Sequence, residues 1–314
     1  MKRLFVPVAI IIALIVFFVI VGRKEFSRHD DIKIDQKVQT KPEEKLLPVA
    51  IPVVSAEEAE KLNAEAEKII AEAEMIAWND AMEFCLADGE TLDMVKIKAG
   101  SFTMGDALGV EDETPHRVTI TKDYYLGKME VTQAQWRAVM GNDPSYFKGD
   151  KLPVENVSWN DAMEFCDKLN SMGKAPKGYK FTLPTEAQWE YAARGGKESR
   201  GYKYSGSNDI GDVGWYGNNS GHKTHEVATK KPNELGLYDM SGNVWEWCLD
   251  WYGVYRGDAV DPQVSSSPLR SYRVFRGGSW SDATRMCRSA FRFYSVPDYQ
   301  YDSLGFRLAL VPTQ

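Results

Sequence analysis

The sequence predicts an α+β domain with much irregular loop over residues 93–314, preceded by segments of different character. Three observations lead there. Met94-Val95-Lys96-Ile97 and Arg117-Val118-Thr119-Ile120 alternate apolar and polar residues as half-buried strands do. Thr132-Gln133-Ala134-Gln135-Trp136 and Thr185-Glu186-Ala187-Gln188-Trp189 each read as a helix start, with threonine at the cap and tryptophan on the buried side. Around them run glycine- and tryptophan-rich stretches, the pattern of short strands and two helices carrying long loops.

Composition permits such a domain and excludes other classes. The chain has 314 residues, 43% hydrophobic and 12% aromatic, enough to bury a substantial core. Its net charge is −7, with no basic stripe beyond the first thirty residues. That excludes nucleic acid as an expected partner, because phosphate binding needs a cationic surface.

At the N-terminus, Met1-Lys2-Arg3 precedes an apolar run from Leu4 to Val21, closed by Gly22-Arg23-Lys24. About 18 apolar residues are just enough to span the hydrocarbon core as a helix. The bulky end Phe17-Phe18-Val19-Ile20-Val21 lacks the small residues of a cleavage site. Residues 1–24 are therefore read as an uncleaved anchor, held in the membrane through residues 4–21. Basic residues flank both ends and do not choose an orientation; the expected place of the globular part is outside the cytoplasm, periplasmic or at the cell surface. Residues 25–54, charged and punctuated by Pro42, Pro48 and Pro52, read as a flexible stalk.

Residues 55–92 read as a spacer helix region, opened by the capping-box pattern Ser55-Ala56-Glu57-Glu58. Leu62, Ala66, Ile69, Ala73 and Ile76 form a narrow stripe. It suits a coiled-coil seam, making residues 55–78 an oligomerisation segment, or equally a face packed on its own domain. Trp78-Asn79-Asp80-Ala81-Met82-Glu83-Phe84-Cys85 recurs identically as Trp159-Asn160-Asp161-Ala162-Met163-Glu164-Phe165-Cys166. Read as helix, both copies place their cysteine on an apolar face, so Cys85 and Cys166 are expected to pack rather than react.

From residue 100 onward, blocks appear whose order and content carry a resemblance: Gly100-Ser101-Phe102-Thr103-Met104-Gly105, Glu113-Thr114-Pro115-His116, Leu183 to Gly195, Gly236-Leu237-Tyr238-Asp239-Met240-Ser241-Gly242-Asn243-Val244-Trp245-Glu246-Trp247, Arg276-Gly277-Gly278-Ser279-Trp280, and Leu304-Gly305-Phe306-Arg307. Together they resemble the formylglycine-generating enzyme, or sulfatase-modifying factor, family. The resemblance implies an elaborated C-type-lectin-like fold. That superfamily includes copper-dependent oxidases, iron-dependent sulfoxide synthases and non-catalytic binding proteins, so the fold does not select the activity.

The resemblance also implies site residues. Asp239, Gly242, Val244 and Glu246 match a calcium site of two carboxylates and two backbone carbonyls, the oxygen set a hard cation prefers. The alternative is that Asp239 caps a turn and Glu246 pairs with an arginine. A second calcium site, starting near Asn218 or Asn219, meets a shortened loop, Gly221 to His225, and is short of ligands. His222 and His225 in that loop read as solvated. The cleft positions Ser279 and Trp245 survive. The family's oxidases hold Cu(I) with two thiolates, for which soft ligands are required. Here the first thiolate position, counted from Ser279, holds Asp282 and the second holds Cys287, which makes copper an unlikely cofactor.

Cys287 would be the surviving catalytic thiol if the chain were an oxidase. Otherwise Cys248 and Cys287 form a disulfide or stay as buried thiols, two readings of equal standing. The expectation is a divergent, calcium-stabilised binding or assembly module for a protein, peptide or glycan ligand. Trp251, Tyr252, Tyr255, Tyr272, Tyr294, Tyr299 and Tyr301 are aromatic residues suited to a recognition surface. A formylglycine-generating oxidase is the alternative. An iron-dependent sulfoxide synthase comes last, since residues 23–92 contain only His29 as a histidine.

Overall fold

The computed structural model describes residues 81–313 apart from 108, 110 and 266–270. The anchor, the stalk and the apolar stripe of the spacer helix lie outside the described residues. Among those described, no helix is long and apolar enough to cross a membrane.

In chain order the strands are β1 (Ala81–Cys85), β2 (Thr91–Ile97), β3 (Gly100–Met104), β4 (His116–Ile120) and β5 (Tyr124–Gly127). Helices α1 (Gln133–Met140) and α2 (Trp159–Ser171) follow, then β6 (Tyr179–Thr182), α3 (Glu186–Ala193), β7 (Trp245–Trp251) and β8 (Ala259–Val260). The chain ends on β9 (Arg273–Arg276), β10 (Arg292–Ser295), β11 (Leu304–Gly305) and β12 (Ala309–Pro312). A five-stranded antiparallel sheet runs β1-β2-β5-β12-β6, a four-stranded sheet β10-β9-β7-β11, and a small sheet β3-β4-β8. Long loops, chiefly residues 194–244, connect them.

The helices start where the sequence places them. Thr132 and Thr185 each close a capping box with the glutamine three residues on, satisfying two otherwise free amides reciprocally. Their tryptophans, Trp136 and Trp189, are buried on opposite sides of the large sheet. Trp136 stacks on Phe165 of α2 at 5.5 Å in the cluster that includes Met94, Tyr125 and Leu310. Trp189 packs with Ile97, Tyr124, Leu126 and Ala309. Neighbouring residues of β5 and β12 thus serve different cores, the period-two alternation of a sheet buried on both faces. Each fully buried indole removes about 200 Å² from water. At ~25 cal/mol per Å² that is roughly 5 kcal/mol before ordering costs.

The repeated octapeptide corrects one expectation. Its second copy opens α2, as anticipated, and Cys166 is buried there. The part of the first copy that is described, Ala81–Cys85, is instead an edge strand paired antiparallel with β2, and Cys85 is exposed. The residues on either side explain the difference. Ser158 caps α2 and shares a capping box with Asp161, and the helix continues through Leu169. The first copy is preceded by Ala77 and runs into Leu86-Ala87-Asp88-Gly89, where Asp88 and Gly89 take positive φ. With neither the flanking serine cap nor room to propagate, the described residues 81–85 take the pairing that β2 offers. The domain therefore starts at least twelve residues before 93, inside the stretch read as spacer helix.

Candidate functional site

Three arginines fix the segment that carries the candidate cleft, residues 277–303. Arg276, fully buried, pairs with Glu190 of α3 and donates to the Ala290 carbonyl at 2.6 Å. Arg288 grips Glu113 with two hydrogen bonds of 2.8 Å. Arg292 grips Glu186 at 2.8 and 2.6 Å. Such forked pairs add geometric definition as well as energy. Burial alone would raise the pKa of Glu190, but Arg276 and Arg194 outweigh it and hold the carboxyl below its ordinary range.

The pinned segment borders a cleft of about 320 Å³. Trp245 and Asp282 line it, and Ser279, fully buried, donates its hydroxyl to the Asp282 carboxylate. The Trp245 side chain lies close enough to the same carboxylate to favour its charged form. The structure therefore brings together the three residues the sequence assigned to a cleft. Burial raises the pKa of Asp282, and these contacts oppose the rise. Sequence reasoning missed Phe275 and Phe293, which join Trp245, Tyr294, Tyr299 and Tyr301 around the opening. Their spacing gives no signal; β9 and β10 bring them together.

Cys287 belongs to a different compartment. It is fully buried with Tyr204, Ile210 and Val213, its Sγ 3.9 Å from the Ala283 carbonyl, and it does not line the cleft. Burial pushes the thiol pKa up, and the charge of Asp282 pushes it further. Cys248 lies in the core cluster of Trp189, and burial pushes its thiol up as well. All four cysteines are free thiols. The 248–287 disulfide is thus corrected to two separately buried thiols. Iodoacetamide under native, non-reducing conditions should add one label, at Cys85, and after denaturation four; intact-mass spectrometry reads both counts. Two labels after denaturation would restore the bridge.

Gly278 makes this packing possible. Its φ is +75°, and an added Cβ would lie 2.6 Å from the Cys287 Sγ and 3.0 Å from the Met286 carbonyl. Gly278→Ala should therefore destabilise the protein by about 2–3 kcal/mol in urea denaturation, from backbone strain and overpacking together.

The loop expected to hold calcium is a dense polar knot. Asp239 and Asn243 take positive φ, and the Asp239 Oδ2 accepts the Ala228 amide at 2.7 Å. Both Glu246 oxygens are held by Arg307, at 2.6 Å each, and Oε2 also accepts the Trp189 indole N–H at 2.6 Å. Glu130, which sequence reasoning did not single out, accepts the Asn243 amide at 2.6 Å and the Val244 N–H at 3.0 Å. Burial pushes Glu130 well up, and the charges of Asp239 and Glu246 add to it; burial pushes Asp239 up to about 6. One oxygen, Asp239 Oδ1, is buried without a hydrogen-bond partner. That orphaned oxygen and the all-oxygen donor set fit a hard cation. Glu246 departs from the expected ligand set, because its carboxylate is committed to an arginine.

The neighbouring loop also departs from expectation. His225 is not solvated: its ring stacks on Trp215 at 3.8 Å, with Nε2 2.7 Å from the Ser220 carbonyl. Lys230 covers the same tryptophan at 4.0 Å. Asn219 is committed to the Tyr216 amide and the Gly214 carbonyl. A further pair was missed. Glu155 is fully buried and accepts the Phe147 N–H at 2.8 Å, while its Oε2 and the Asp302 Oδ1 have no hydrogen-bond partner. Burial, with the Asp302 charge adding to it, pushes Glu155 up to about 8.

Comparison with known proteins places this architecture. The sulfatase-modifying factor enzyme 1-like domain matches residues 86–311. Chaperone protein LppX of Paenibacillus barcinonensis is 35% identical over 257 residues, 66% of this chain and 86% of that one. The formylglycine-generating enzyme of Streptomyces coelicolor is 36% identical over 199 residues, and the match covers 58% of this chain and only 60% of the enzyme. Among solved structures, Treponema denticola variable protein 1 superposes with a TM-score of 0.67 at 36% identity, over 74% of this chain and 99% of that one. The motif blocks, the fold and these matches agree: the chain belongs to the sulfatase-modifying factor family.

Proposed function

We propose that this chain is a divergent, non-copper member of the family, a membrane-anchored extracytoplasmic module that binds a protein, peptide or glycan ligand in the cleft of Trp245, Asp282 and Tyr301. One observation carries the reading. The cleft presents aromatic side chains and a carboxylate, while the cysteine at the second thiolate position is buried in a separate apolar cluster. Among the described residues Cys287 has no second thiolate beside it, and Asp282 offers a hard oxygen where a soft ligand is needed. A calcium ion, when bound, would be held by Asp239 with help from the Gly242 and Val244 carbonyls, and would neutralise the buried carboxylates there. The similarity to a protein named as a chaperone favours a peptide or protein ligand over a reaction product.

The test is Cu(I) titration of the full chain, then oxygen-dependent turnover of a cysteine-bearing sulfatase-motif peptide, beside peptide and glycan arrays. Array binding lost in Trp245→Ala or Tyr301→Ala, with no turnover, is the expected result. Conversion of the peptide cysteine to formylglycine, abolished by Cys287→Ser, would overturn it.

A further inference from the structure

Resting on that reading of the cleft, we infer that the cleft takes an organic cation, the trimethylammonium group of a choline-type ligand, between aromatic walls backed by Asp282. Charge is the first argument. None of the described residues lining the cleft is a lysine or arginine, and Asp282 is its one ionisable carboxylate. Of the arginines in and beside the bordering segment, Arg276, Arg288 and Arg292 are each paired with a buried glutamate and are not available to an anionic ligand, while the exposed Arg285 does not line the cleft. The site is therefore complementary to positive charge.

The walls are the second argument. Trp245 and Phe293 lie 6.1 Å apart with rings 33° from parallel, and Tyr299 and Tyr301 stack at 6.0 Å on a separate stretch of the rim. Phe293, Tyr299 and Tyr301 are 46%, 39% and 52% exposed, high for rings of this size. Aromatic faces carry negative potential and attract weakly hydrated cations, and quaternary ammonium groups are the characteristic guests of such cages. The volume, about 320 Å³, falls at the small end of ligand pockets (~300–1,000 Å³), which suits a single head group.

The third argument separates a quaternary from a primary ammonium. The Asp282 carboxylate already accepts a hydrogen bond from the Ser279 hydroxyl. It supplies charge at short range, with one of its oxygens already engaged by Ser279. A lysine-type ammonium brings three donors that need acceptors. A trimethylammonium group brings none, and asks only for charge and aromatic surface.

The probe pair is choline and 3,3-dimethyl-1-butanol, its neutral counterpart of the same shape, titrated into the full chain in maltoside detergent free of choline lipids. Tryptophan fluorescence and calorimetry are the readouts. Choline should bind at least tenfold more tightly than the butanol, and Asp282→Asn should erase that preference while the melting temperature stays near wild type. The wild-type comparison stands even where the variant fails to fold. Equal binding of the two probes would sink the proposal, since the cleft would then read shape without charge. So would no choline binding in a protein whose cleft captures an array ligand, an outcome that leaves the binding-module reading intact. If neither choline nor any array ligand binds, both readings fall together.

Discussion

Arg307→Met is expected to cost about 4 kcal/mol of stability, within the 3–5 kcal/mol measured when one partner of a buried ion pair is removed. The Arg307 guanidinium is fully buried, holds both oxygens of Glu246, and donates to the carbonyls of Gly127 at 2.9 Å and Tyr238 at 2.8 Å. Without it, Glu246 joins Glu130 and Asp239 as a third buried carboxylate without an arginine or lysine partner among the described residues. For a domain of this size the melting temperature should fall by roughly 10 °C. Arg307→Lys should recover only part of the loss, because one ammonium cannot make the forked pair. Arg307→Met combined with Glu246→Gln should recover more than the sum of the single effects predicts, since glutamine still accepts the Trp189 N–H and leaves no orphaned charge. Urea denaturation gives all four values; a loss under 1 kcal/mol for the first variant would show that the pair is not what closes this core.

Glu155→Gln should act in the opposite direction. Native Glu155 holds its proton up to about pH 8, against an ordinary value of 4.5. The native state thus binds this proton more tightly than the unfolded chain does. Stability from this group is complete below pH 4.5 and is lost as the pH rises toward 8. Glutamine removes that loss. Its carbonyl can keep the Phe147 N–H, and its amide offers a donor to the partnerless Asp302 Oδ1. The variant should match wild type near pH 5 and exceed it by about 1–3 kcal/mol at pH 9, with a flatter profile between. Chemical denaturation at several pH values checks this; parallel profiles for the two proteins would refute the assignment.

Much of this was legible in the sequence because it depends on neighbours a few residues apart. The Thr132 and Thr185 caps, the strand cores read at 94–97 and 117–120, and the burial of Trp136 and Trp189 are local consequences of pattern. The motif blocks located the cleft residues Trp245, Ser279 and Asp282. What escaped depends on pairs far apart in the chain. Glu130 meets Asn243 across 113 residues and Arg288 meets Glu113 across 175; an arginine partner for Glu246 was among the readings, but not that it is Arg307, 61 residues on. No period or spacing announces such partners. The fate of Cys248 and Cys287 was likewise undecided, because only packing separates a buried thiol from half of a disulfide.

An unfolded chain of this protein carries two copies of the key to one groove. The walls that receive α2 include Phe306 and Leu310, close to the C-terminus, so neither copy can dock until nearly the whole domain exists. Both segments then compete with identical intrinsic preference, and the outcome rests on a few flanking residues, Ser158 and Leu169 on one side and the Asp88–Gly89 turn on the other. The duplication therefore leaves little trace in the energy of the native state. The expected effect is on the folding rate, as local frustration that the flanks resolve, and refolding kinetics of a chain with Ala81–Cys85 altered should show it.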